Sequence, residues 1–226
     1  MANNSPVLAS VTIQINKYEP YKVANGKNDS TFFVASDDID MEDLQRYRQE
    51  TKTECLIAIN TTNKNYDCVE LADNVISCSP DEVQLVMQAF QLLHSGSGFI
   101  GMDWNEVKWA ISSGRNIEFL HGMASGENCV ALACEQLIPK LKNLSSNYPI
   151  TNMMINMYAD ISFGCEQQDF IIQQIDKNLM VNDATTFYQL SFFHEFDYWK
   201  KGEHVCCICM FLVYADKEDD IEPVII

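Results

Sequence analysis

Apolar residues come in short alternating or unbroken runs through the first third of the chain, and in helical stripes beyond it. Val11, Ile13 and Ile15 fall on one side and Thr12 and Gln14 on the other, which predicts a strand within residues 7–15. Residues 18–30 carry Pro20 and Asn25-Gly26 and read as a loop with a turn. TFFVAS at 31–36 and ECLIAINT at 54–61 are unbroken apolar runs of the kind that form strands buried on both faces. Between them Asp40 predicts a helix cap, with Glu42 and Asp43 favouring the positive N-terminal end of a helix that runs to about Glu50. Strand, helix and strand of these lengths fit a parallel crossover. NVISCS at 74–79 predicts a third strand.

Ser79-Pro80-Asp81-Glu82 has the residues of a capping box with proline at the first helical position. Val83, Val86, Met87, Phe90 and Leu93 make the helical stripe, while Leu85, Ala89 and Leu92 make the other side apolar too, so this helix belongs in the centre of the fold. His94-Ser95-Gly96 should end it. A second helix is expected from Asp103, a strand over 117–122, and a helix opened by Ser125 or Gly126 that runs to about Leu144 with Val130, Cys134, Leu137 and Leu141 inward. A strand over 150–159, a helix over 166–178 and a strand over 184–196 follow. Gly202 marks a hairpin turn, and residues 204–214, apolar on both faces, predict a central strand. The loop at 96–101 divides a unit over 1–95 from one over 96–215, and the acidic stretch 216–226 reads as a flexible tail.

The charge balance narrows the partners. Fifteen Lys and Arg against 32 Asp and Glu give −17, which disfavours nucleic acid and anionic membrane surfaces. No apolar run approaches the roughly 20 residues that membrane insertion by a helix requires. The N-terminus has neither the basic nor the apolar region of a signal peptide. The nine cysteines sit mostly in apolar runs, with no C-x-x-C, and the C-C-x-C at 206–209 has no second cluster at zinc spacing. They read as reduced, buried thiols of a cytoplasmic protein, with no metal site. The four histidines show no metal-binding spacing, and Ser125, in A-S-G, reads as a helix cap rather than a nucleophile.

One acidic pair has a spacing that suggests chemistry. Asp103 and Glu106 are three residues apart and would share a helix face, where two carboxylates could orient a nucleophile. The same D-x-x-E before Val107, Trp109, Ala110 and Ile111 is equally a capping-box helix start.

GMDWNEV at 101–107 and MASGEN at 123–128 resemble the bacterial tubulin homologue FtsZ, in which a loop with two acids enters the second domain and an A-S-G-E-[DN] junction joins a strand to a helix. The order of elements over about 30–215 is similar too. The resemblance implies an α/β fold: a truncated Rossmann-like N-terminal unit, a central helix, and an FtsZ C-terminal-domain-like α+β unit with a mixed sheet. It also implies that Gly101, Met102, Asp103, Trp104, Asn105 and Glu106 bind a partner. In the family the acids of this synergy loop enter the nucleotide site of the next subunit and position the water that attacks GTP.

The chain departs from the family at the nucleotide loop. Where FtsZ has G-G-G-T-G-T-G, whose glycines let backbone amides close around phosphates, this chain reads Ser36-Asp37-Asp38-Ile39-Asp40. Carboxylates there repel phosphate, so no GTP site, no cofactor and no enzymatic activity of its own are expected. Glu106 stands where the family has aspartate, and Gly101 where it has asparagine. The expected partner is FtsZ or another tubulin-like GTPase, whose polymerisation the chain would regulate or cap. The alternative is a self-associating scaffold of the same fold.

Overall fold

A computed structural model describes residues 15–19, 28–62, 64–93, 101–159, 163–179, 184–192 and 205–215. The expected strand at 7–14, the turns at Asn25-Gly26 and Gly202, most of the 96–101 loop, His94, His194, His204 and the tail lie outside the described residues. The strands are β1 (Ile15–Lys17), β2 (Ser30–Val34), β3 (Cys55–Asn60), β4 (Asn74–Ser77), β5 (Asn116–Ser125), β6 (Ile150–Ala159), β7 (Thr185–Phe192) and β8 (Val205–Tyr214). The helices are α1 (Met41–Thr51), α2 (Val83–Leu92), α3 (Trp104–Ser112), α4 (Cys129–Asn147) and α5 (Cys165–Asn178), and two 3-10 turns lie at Asp67–Leu71 and Pro80–Glu82.

All eight strands join one mixed sheet in the order β1-β2-β3-β4-β5-β8-β6-β7. β1 to β5 run parallel, β8 lies antiparallel between β5 and β6, and β7 pairs parallel with β6. β8 is central as its two apolar faces predict: Cys207, Cys209, Phe211 and Val213 face one layer, and Cys206, Ile208, Met210 and Leu212 the other. The front layer is α2 and α3, whose Val86, Phe90, Val107 and Ile111 meet Ile57, Ile76 and Phe211. Behind the sheet, α1 covers Phe33, Leu56 and Ala58, while α4 and α5 cover Met153, Ile155 and Ile208. No described helix is long and apolar enough to cross a membrane.

The helix ends follow local chemistry. Asp40 caps α1 by accepting from the amides of Glu42 (2.9 Å) and Asp43 (3.1 Å). α4 begins later than its sequence suggests. β5 continues through Ser125, and Asn128 takes the cap position, so neither Ser125 nor Gly126 opens the helix. The extension of β5 follows from its ladder to β8, in which every residue from Asn116 to Ser125 has a partner. Of the four inward positions expected on α4, Cys134, Leu137 and Leu141 are buried and Val130 is partly so. Gly122 permits the close approach of α4, since a Cβ there would lie 2.1 Å from the Ala133 carbonyl oxygen.

The end of α2 is held by side chains from the far half of the sheet. The Ala89 carbonyl accepts from Asn156 Nδ2 (2.9 Å) and the Tyr158 hydroxyl (3.3 Å), and the Leu92 carbonyl from Gln189 Nε2 (2.7 Å). The Ala89 carbonyl also accepts the Leu93 amide (3.3 Å), so these buried side chains add to the bonding of the last turn of α2 and tie it to β6 and β7.

Candidate functional site

The loop entering α3 is built as a reciprocal capping box. Asp103 Oδ1 accepts the Glu106 amide (2.9 Å), and Glu106 Oε2 accepts the Asp103 amide (2.8 Å). Both carboxylates are exposed, and their second oxygens have no hydrogen-bond partner among the described residues. Gly101 and Asn105 are exposed beside them. Met102 is 5% exposed and packs in the front core, so its side chain fixes the loop rather than offering a contact surface. Trp104 is tethered: its indole N–H donates to Glu54 Oε2 (3.4 Å), and Lys108, which reaches the same oxygen (3.3 Å), lies 5.7 Å from its ring centroid. The box thus serves the helix with one oxygen of each acid and leaves the other open.

The loop after β2 puts its acids to other uses. Asp37 and Lys64 form an exposed ion pair at 2.5 Å. Asp40 occupies the first-turn amides of α1, the position at which helices that follow parallel strands receive phosphate groups.

A third group of residues gives no sequence signal because its members are far apart in the chain. A polar crevice of about 510 Å³ opens beside the carboxyl ends of β3 and β4, lined by Asn60, Thr62, Ser77, Ser79, Glu118 and Lys140. Glu82 lies at its edge and receives the Ser79 amide (2.7 Å) and hydroxyl (2.5 Å), while its other oxygen is 2.7 Å from His121 Nδ1. Burial alone would raise the Glu82 carboxyl, but the close approach of His121 and the bonds from Ser79 outweigh it and hold it at about 2. Burial, and then the nearby Glu82 charge, push Glu118 up to about 7.

This arrangement has a pH signature. Between roughly pH 4.5 and 7 the folded protein keeps a proton on Glu118 that the unfolded chain releases, so stability should fall as pH rises through that window. Urea midpoints measured across it should flatten in Glu118→Gln. An unchanged pH slope in that variant would exclude Glu118 as the source. Glu82 acts in the opposite sense and only at lower pH, where its stabilisation is lost as pH falls toward 2.

The nine cysteines form no disulfide, and most are buried. Burial raises the thiols of Cys55 and Cys78 to about 12 and that of Cys134 to about 11. Cys206 faces the back layer, whereas Cys207 and Cys209 face the front with their sulfurs 3.7 Å apart, so the C-C-x-C sulfurs do not converge. Cys165, at the start of α5, is exposed.

No protein-family model and no curated protein matches the sequence. Solved structures do match its fold. An empty FtsZ dimer from M. jannaschii aligns at TM-score 0.61 and 11% identity, over 82% of this chain and 63% of that one. CetZ from Methanosaeta thermophila aligns at TM-score 0.51 and 13% identity, over 84% of this chain and 63% of that one. The chain has the fold of FtsZ and CetZ. It spans 63% of the length of each of these two structures, and at such identities the likeness is one of fold. Within that FtsZ-like fold the acid-bearing loop enters α3 on the front layer, and the acidic stretch 36–40 joins β2 to α1.

Proposed function

We propose that this protein docks onto a tubulin-like filament subunit through the loop and first turn at Gly101, Asp103, Asn105 and Glu106, and caps or regulates its polymerisation while binding no nucleotide itself. The observation that carries the reading is the state of the two acidic loops. Asp103 and Glu106 stand exposed, each with one oxygen uncommitted, while Asp37 is paired to Lys64 and Asp40 fills the α1 terminus. Head-to-tail contacts continue only when both faces of a subunit work. A chain with a working loop face and an acid-filled nucleotide face adds to a filament end and stops growth there. Met102 and Trp104 support the loop, the first from the core and the second through Glu54. Self-association into a scaffold is the second reading, motivated by the dimeric state of the FtsZ structure that the fold resembles.

The proposed lack of nucleotide binding is tested by equilibrium dialysis of the full chain against labelled GTP at micromolar protein. No retention of GTP above a bovine serum albumin control is expected. Stoichiometric binding would show that carboxylates at 37–40 do not exclude phosphate.

A further inference from the structure

Trp109 is 53% exposed, more than the other exposed large apolar side chains described, Met41, Leu132 and Phe170. It follows Glu106 by three residues and Asn105 by four on α3, so the three side chains share one exposed side of the helix. The indole is held but not covered. Its ring meets Phe187 of β7 edge-on, with centroids 5.6 Å apart at 69°. Its N–H has no hydrogen-bond partner among the described residues, in contrast to Trp104, whose N–H is engaged by Glu54. A rigid, half-exposed indole with a free donor is the side chain that most often dominates a protein interface.

The charge around it selects the occupant. Asp103 and Glu106 lie within two turns of Trp109, and the chain carries −17 overall. Two copies paired about Trp109 would be related by a two-fold axis, which would bring all four carboxylates into one patch. A partner surface with positive charge beside an apolar recess meets both the acids and the indole.

We infer that Trp109, braced by Phe187, is the aromatic anchor of the docking face, and that it enters an apolar recess on a tubulin-like subunit beside the cationic groups that meet Asp103 and Glu106. The inference rests on the proposed filament docking. It adds a residue and a surface that the acidic loop alone does not supply.

The test is co-sedimentation of the full chain with a panel of purified FtsZ and CetZ proteins incubated with GTP, including those of M. jannaschii and Methanosaeta thermophila. Wild type is compared with Trp109→Ala, Trp109→Phe and the double variant Asp103→Ala, Glu106→Ala. Trp109→Ala should weaken binding roughly tenfold or more and Trp109→Phe less. Its denaturant midpoint should stay near wild type, because the ring is half in solvent. Wild-type affinity in Trp109→Ala overturns the anchor, whatever the acids do. Loss in Trp109→Ala with full binding in the double variant keeps the anchor and overturns the acidic-loop reading. No binding of wild type to any member of the panel overturns both.

Discussion

Phe90→Ala is expected to destabilise the protein by roughly 3–5 kcal/mol, the cost of emptying a large aromatic site in a packed core. Phe90 is fully buried and lies edge-on to Phe32 of β2 (5.1 Å) and to Phe211 of β8 (5.6 Å). One ring on α2 therefore bridges two strands that are four places apart in the sheet. Truncating it removes contacts to both of these strands at once, and the surrounding strands cannot close the gap without breaking their ladders. Denaturant melts of the two proteins measure the difference. A loss below about 1 kcal/mol would show that α2 is peripheral rather than the joint of the fold.

The second large effect concerns activity. Asp103→Ala with Glu106→Ala should abolish any action of the protein on a tubulin-like filament while leaving the fold intact. The reciprocal box is exposed, and removing a cap costs about 1–2 kcal/mol, which a chain of this size survives. Carboxylates that meet cationic groups at a neighbour's active site would matter far more to that neighbour's chemistry. Thermal melts establish that the variant is folded, and phosphate release by the partner then reports the interface. Equal effects of wild type and variant would move the interface elsewhere and reduce the acids to their capping role.

The elements and the central strand were legible in the sequence because burial on one or two faces writes a period of two or an unbroken run. Residues 204–214 showed β8 to be central, and NVISCS, TFFVAS and ECLIAINT marked three of the parallel strands. Short-range chemistry was legible too: D-x-x-E gave the cap of α3, and Asp40 that of α1. The start of α4 was misjudged because Ser125 and Gly126 carry good cap chemistry, yet the ladder of β5 with β8 outweighs it and extends the strand through Ser125. Contacts between distant residues left no local trace. The pairing of His121 with Glu82, and the capture of the Ala89 and Leu92 carbonyls by Asn156 and Gln189, exist only once the sheet has formed. The exposure of Trp109 left no local trace either, since what covers an apolar residue on a helix is decided by the neighbouring strand.

The most direct test of filament capping is the length of tubulin-like filaments assembled with GTP in the presence of substoichiometric protein, read by electron microscopy and pelleting. A capping protein blocks one end that many subunits share, so one copy per roughly 20 subunits should shorten filaments markedly, and the acid-pair variant should leave them at control length. Filaments of unchanged length at equimolar wild-type protein, across FtsZ and CetZ partners, would contradict the account.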